Sequence, residues 1–318
     1  VIGVASTSGA VTVLFVAGMP RSGSTLFDLM VGQLPGHFEV GELFYLWQAG
    51  PLRDQRCACG EHFSACPFWR QVGQVAFGGW DQVDPTEFMR LQEQVDATAR
   101  LGRYALRRFS PQHAAKVARY TSVVRRLYAA VAQVSGADIV VDSSKRPSTA
   151  ALLRSTPGVD LRVALVVRDP RGVVNSWNRE VPLPEATGPR SYLKRRPLRQ
   201  IARRWMTVNL MFEVFAAQGT PTVRVRYEDL VRRPDEAMRA VLALVGRPTT
   251  ARALSFLDGT TMTTGGSHAV AGGRIRMRTG PLHLRLDEAW RTELPRWRRA
   301  VTVLVCWPLM RKYGYLSG

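Results

Sequence analysis

The sequence predicts an α/β chain: a P-loop-like three-layer fold with a central parallel sheet, helices on both faces and a helical insertion. Three stretches carry the prediction: Val11–Met30, Leu161–Trp177 and Thr222–Val245. In each, an apolar, β-branched run breaks at a short polar turn and continues as a helical pattern. Such repeats build parallel sheets with crossover helices.

The first stretch, VTVLFVAGMPRSGSTLFDLM, organises the rest. Val11–Val16 reads as a buried strand, Gly18-Met19-Pro20 breaks it, and Leu26, Phe27, Leu29 and Met30 form an apolar helix face. Strand, tight loop and helix aim successive N–H groups and a helix dipole at one point, which suits a phosphate. Gly18 and Gly23 flank four residues, the outline of a P-loop. The nucleoside-triphosphate version needs Lys after the second glycine, to reach the β/γ-phosphates. Here Ser24 stands there and Arg21 is the only cation in the loop. A sulfuryl group on a phosphate carries less charge and matches Arg21, the hydroxyls of Ser22, Ser24 and Thr25, and amides without Mg²⁺. The plain alternative is an ordinary Gly-Ser turn.

With 318 residues and 46% apolar content, the chain can bury a sizeable core. We expect one domain over 1–318, with a helical insertion at about 50–134. No apolar run is long enough to span a bilayer. Val1–Ala10 shows no signal-peptide pattern, so a cytoplasmic, reducing location is expected. The net charge is +19, almost all from arginine. It fits an anionic cofactor, an anionic surface or nucleic acid. No helix-turn-helix, RRM or zinc-finger pattern is present, so a sequence-specific nucleic-acid partner is not expected.

Leu34-Pro35-Gly36 ends the first helix, and Phe38–Leu46 is mixed, with Gly41-Glu42 in its middle. A carboxylate soon after an anion loop can take the proton of an acceptor hydroxyl. Glu42 is the candidate, Glu39 its close competitor. RCACGEHFSACPFW follows, with Cys57, Cys59, His62 and Cys66. C-x-C-x₂-H-x₃-C is not a common zinc spacing. A structural or substrate-side element is preferred here, with a disulfide and a zinc site as alternatives. Pro85–Phe109 and Pro111–Val134 show helical spacing and form the insertion between the first and second strands.

Ala137–Val141 reads as a short buried strand, with Lys145 just past it, where ligands of open α/β sheets bind. There Lys145 can meet a transferring group, although an ordinary loop lysine is the plain reading. In LRVALVVRDPRGVVNSW, Val163–Val167 is a strand, Arg168 stands at its carboxyl end, and Asp169-Pro170 opens a helix bearing Ser176. A guanidinium gives a bidentate anion clamp and the hydroxyl another donor. Arg195–Ala217 reads as a helix and Thr222–Arg226 as a strand leading into Tyr227-Glu228-Asp229-Leu230. Gly259–Gly280 reads as a Gly-, Thr- and Arg-rich loop. In the C-terminal helix Leu304, Trp307, Leu309 and Met310 can pack on the body, or form a homodimer or peripheral membrane face.

GMPRSGSTL resembles the 5′-phosphosulfate loop of sulfotransferases that use 3′-phosphoadenosine 5′-phosphosulfate (PAPS), most closely the bacterial branch with an Arg-Ser-Gly loop. The later segments extend the resemblance over most of the chain. It implies sulfuryl transfer from PAPS to a hydroxyl of a small-molecule, sugar or lipid acceptor, leaving 3′-phosphoadenosine 5′-phosphate (PAP), with no metal expected. It implies that Arg21, Ser22, Gly23, Ser24 and Thr25 hold the phosphosulfate, Arg168 and Ser176 the 3′-phosphate, and Tyr227 the adenine. Glu42 matches the catalytic base of the Gly-Glu relatives, and Lys145 a lysine that, with Arg21, neutralises the leaving phosphate. No His follows Lys145, where cytosolic members place a histidine base. Gly272, Gly273, Arg274 and Arg276 match a segment that closes over the nucleotide, but its Asn and Pro are missing here. The competing readings are a P-loop kinase or nucleotide hydrolase, with Asp142 or Asp169 binding Mg²⁺, and a non-catalytic basic polyanion- or membrane-binding protein.

Overall fold

A computed structural model describes residues 9–98, 101, 110–179 and 196–316. Five parallel strands form its centre: β1 (Val11–Ala17), β2 (His37–Glu39), β3 (Ile139–Lys145), β4 (Val159–Val167) and β5 (Thr222–Arg226). Their order is β2-β3-β1-β4-β5. The β-branched run puts β1 in the middle, and its alternating side chains point to opposite faces. Val13, Phe15 and Ala17 pack on one side with Leu127, Val131, Trp205 and Phe212. Leu14 and Val16 pack on the other with Phe27, Met30, Met238 and Val241.

The helices supply the outer layers. α1 (Ser24–Val31) follows β1; α2 (Pro67–Phe77), α3 (Pro85–Val95) and α4 (Pro111–Ser135) lie between β2 and β3; α5 (Pro147–Arg154) joins β3 to β4. After β4 come α6 (Pro170–Asn178) and α7 (Leu198–Ala217), and after β5 come α8 (Tyr227–Arg232) and α9 (Pro234–Leu244). The helical insertion therefore sits between the second and third strands. Sequence pattern missed β2 because a three-residue edge strand has no room for a period. The expected Pro85–Phe109 helix is seen to Val95, and its later part falls largely outside the described residues.

Two further corrections fall late in the chain. Gly259–Gly280 was expected to be loop, yet β6 (Leu257–Asp258), β7 (Thr261–Thr264) and β8 (Gly280–His283) form a small antiparallel sheet. The short α10 (Trp290–Glu293) precedes α11 (Arg296–Lys312). Leu309 and Met310 of α11 are buried in the main core, and Cys306 lies against the Ala202 carbonyl, while Leu304 and Trp307 face solvent. Among the described residues no helix is long and apolar enough to cross a membrane.

Candidate active site

The carboxyl ends of β1, β3, β4 and β5 converge, as parallel strands require, and the candidate residues stand there. Register places Ala17 beside Lys145 on one side and Leu165 on the other. Arg168 follows β4 and Tyr227 follows β5.

The loop after β1 is a cradle built by close approach. Gly18 has φ 129° and Gly23 has φ 85°. A Cβ on Gly23 would lie 2.4 Å from Cδ2 of Tyr227, so only glycine lets the loop rest on that ring. Arg21 itself has φ 77°, and Lys145 has φ 63°, a conformation that side chains seldom adopt. Two of the candidate cations thus sit on strained backbone, as functional loops often do.

The cradle has the electrostatics of an anion site. Gly23 caps α1 without a side chain, and the first turn of α1 carries no acidic residue. Ser22 is fully buried and its Oγ has no hydrogen-bond partner among the described residues. Burial lowers the affinity of the Arg21 guanidinium for its proton, and the positive charge of Arg168 lowers it further. Two like charges held together in a partly buried site favour an anion between them.

Arg168 ties the first loop to the second. It is 6% exposed, donates from Nη1 to the Arg21 carbonyl at 3.2 Å, and lies 4.5 Å from the centroid of the Tyr227 ring. Its Nη2 donates to the Asp287 carbonyl at 2.9 Å and pairs with the Asp287 carboxylate at 3.1 Å. Burial works against that carboxylate, but the hydrogen bond and charge of Arg168 hold it below its ordinary range. Tyr227 is fixed in turn, donating to the Arg285 carbonyl and accepting from the Asp287 amide. The Arg21 guanidinium stands 6.0 Å from the ring of Trp177, the neighbour of half-buried Ser176 on α6. Asp287 and Trp177 were not foreseen; Asp287 is too far along the chain from Arg168 to leave a local signal.

Glu42 and Lys145 form one unit. Lys145 Nζ donates to Glu42 Oε1 at 2.6 Å, with side chains 8% and 20% exposed. Asp142 positions the Glu42 segment. It accepts from the Leu43 amide, Tyr128 Oη, and the amide and hydroxyl of Ser144. Ser144 Oγ receives the Phe44 amide as well. Asp169 accepts the Arg171 amide at the start of α6 and pairs with the Arg171 guanidinium. Both aspartates are thus consumed by the fold.

Beneath this lies a buried acid pair. Asp28 of α1 accepts from Ser143 Oγ at 2.8 Å. Burial pushes its carboxyl up to about 7, against the Ser143 hydrogen bond and the charge of Lys145. Burial, and then the nearby Asp28, raise Glu39 well above the usual carboxylate range. Glu39 lies inside β2, 6% exposed, so Glu42 is the carboxylate nearer the opening.

The late glycine-rich segment covers this end of the sheet. A Cβ on Gly273 would meet Thr25 Oγ1 at 3.1 Å, and one on Gly272 would lie 3.9 Å from Glu42 Oε1. The Glu42 amide donates to the Ala271 carbonyl. Arg276 is buried and donates to the carbonyls of Gly272 and Arg56. The Arg274 side chain lies outside the described residues.

A model of the sulfotransferase family matches residues 14–251. The chain belongs to the sulfotransferase family. That span starts inside β1 and takes in both loops, Glu42, Lys145 and Tyr227, but ends before the glycine-rich segment and Asp287. One solved structure supports the fold, and two others are similar at lower scores. The sulfotransferase domain from the curacin biosynthetic pathway is 17% identical, with a TM-score of 0.50 over 95% of this chain and 97% of that one. The sulfotransferase domain of the Synechococcus PCC 7002 olefin synthase is also 17% identical, with a TM-score of 0.49 over 95% of each chain. Sulfotransferase STF9 of Mycobacterium avium is 14% identical, with a TM-score of 0.45 over 94% of this chain and 75% of that one. No curated protein matches the sequence.

Proposed function

We propose that this chain transfers a sulfuryl group from PAPS to the hydroxyl of a small-molecule, sugar or lipid acceptor. Family membership supports sulfuryl transfer in general. The observation that carries the donor assignment is Arg168, which bonds the Arg21 carbonyl of the first loop while its plane lies over Tyr227. The phosphosulfate cradle and the nucleotide clamp then adjoin across one guanidinium.

The residues divide the work. The amides of Ser22–Thr25, the orphaned Ser22 hydroxyl and Arg21 suit the 5′ end of the donor, and Arg168 with Ser176 its 3′-phosphate. Tyr227 offers a flat, fixed ring to the adenine. Gly272, Gly273, Arg274 and Arg276 close the site from above. PAPS, when bound, supplies the sulfuryl group and an anionic leaving phosphate. Glu42 accepts the acceptor's proton, with Oε1 held by Lys145 and Oε2 as the second basic atom. Lys145 and Arg21 offset the charge that develops on the leaving oxygen.

A kinase or hydrolase reading lacks support at its two informative positions. Ser24 replaces the phosphate lysine, and Asp142 and Asp169 are spent on internal bonds. The outer side of α11, with exposed Leu304 and Trp307, is the face for the expected homodimer or membrane-surface contact. Titration calorimetry with PAP and with ATP–Mg²⁺ tests the assignment. Tight, Mg²⁺-independent PAP binding is expected; preference for ATP–Mg²⁺, or binding of neither, overturns it. A screen of hydroxylated acceptors with labelled PAPS then identifies the acceptor class.

A further inference from the structure

The cysteine-rich segment lies beside the site, and the reaction makes no use of it. We infer that Cys57, Cys59, Cys66 and His268 form a tetrahedral site for one Zn²⁺. Their ligand atoms all lie within 4.8 Å of one another. Cys57 Sγ is 3.6 Å and Cys66 Sγ 3.3 Å from His268 Nδ1, and Cys59 Sγ is 3.7 Å from Cys66 Sγ. A zinc ion with Zn–S near 2.3 Å and Zn–N near 2.05 Å has S···S edges of about 3.8 Å and S···N edges of about 3.6 Å. The spacing is that of a coordination shell. A disulfide needs sulfurs at about 2.05 Å, far inside the observed separation.

The surroundings favour a bound cation. Cys66 stands at the N-cap of α2, where its side chain makes no cap bond to the helix. A helix N-terminus stabilises a thiolate ligand placed there. The His268 ring stacks on Phe68, with centroids 4.9 Å apart, and its carbonyl accepts from Trp69 Nε1. The fourth ligand fixes the kind of site. Three thiolates and an imidazole leave no open position, so the ion is structural, not catalytic.

His62, the histidine inside the cysteine segment, is excluded by its placement. Its Nδ1 contacts the Asp54 carbonyl and carboxylate, and the side chain is half exposed. The true fourth ligand comes from 202 positions beyond Cys66, which is why no zinc spacing appears in the sequence. The ion would clamp the cysteine segment onto the strip 268–271. That strip bonds Ala58 through Ala269, Val40 through Val270, and the Glu42 amide through Ala271. The zinc site thereby braces the backbone that carries Glu42.

The test is metal analysis of the full chain purified without chelator. We expect roughly one zinc per chain, and on cobalt replacement the strong visible bands and thiolate charge-transfer bands of a tetrahedral S₃N site. Cys59→Ser and His268→Ala should lose most of the metal; His62→Ala should retain it. The cobalt spectrum of the unaltered chain stands even if a variant fails to fold. A metal-free chain, an iron–sulfur spectrum, a disulfide found by mass spectrometry among these cysteines, or metal lost from His62→Ala but kept by His268→Ala would each overturn the assignment. None of these readouts depends on sulfuryl transfer.

Discussion

Replacing Gly23 by alanine probes the contact that shapes the first loop. At φ 85° an added Cβ puts the residue in left-handed backbone, costing roughly 1–2 kcal/mol. It also lies 2.4 Å from Tyr227 Cδ2, about 1 Å inside ordinary contact. Tyr227 cannot swing freely, because its hydroxyl is bonded to Arg285 and Asp287 and its face is covered by Arg168. Overpacking of this kind costs about 1–3 kcal/mol. Gly23→Ala should therefore lose about 2–5 kcal/mol of stability in urea unfolding. A loop displaced by about 1 Å should also slow sulfuryl transfer by roughly 100-fold in a kcat measurement. The two parts separate in a double-mutant cycle. In a Tyr227→Ala background the steric share vanishes, leaving only the backbone share of about 1–2 kcal/mol. If Gly23→Ala costs under about 0.5 kcal/mol, or the same amount with and without the tyrosine ring, the loop does not rest on Tyr227 and this reasoning fails.

Other substitutions separate the remaining roles. Glu42→Gln keeps an acceptor for Lys145 but removes the base; kcat should fall about 10²–10⁴-fold while PAP affinity changes only a few-fold, and an equal loss in both would count against a proton-accepting role. Arg168→Lys loses the fork that reaches Arg21 and Asp287, and PAP affinity should drop by about 1.5–3 kcal/mol in calorimetry, with unchanged affinity arguing against a 3′-phosphate clamp. Asp28 gives a pH dependence. Its folded value of about 7 lies above the unfolded one, so the native state holds the extra proton, and stability falls as pH rises from about 4 through about 7. Denaturation midpoints at pH 5 and pH 8 should show this slope, and Asp28→Asn should reduce it by raising stability at pH 8, leaving the share that the buried Glu39 contributes; a variant with the parent's slope would refute the assignment.

What could be read in advance depended on how local each signal was. The strands at Val11 and Val163 announced themselves because both their faces are buried, so apolar runs were unavoidable, while the edge strand at Thr222 showed itself by alternation and β-branching. Arg21, Arg168 and Lys145 could be placed because a parallel sheet puts the carboxyl ends of its strands at the same edge. The Glu42–Lys145 contact spans 103 positions and the Arg168–Asp287 contact 119. Such pairs are products of strand order, which no window of sequence contains. The small sheet at β6–β8 was hidden by Gly and Thr, residues that also make loops. His268 escaped as a cysteine partner because His62 lay temptingly close in the chain and far from the sulfurs in direction.

The position of β1 has a consequence for biogenesis. It leaves the ribosome before both strands that flank it, β3 and β4, which end at Lys145 and Val167. At 5–20 residues per second, roughly seven to thirty seconds pass before its edges can be covered. Throughout that interval an uninterrupted hydrophobic strand is open to holdase chaperones and to aggregation. Growth temperature and chaperone supply, more than the strength of the finished core, should then set how much soluble protein is recovered.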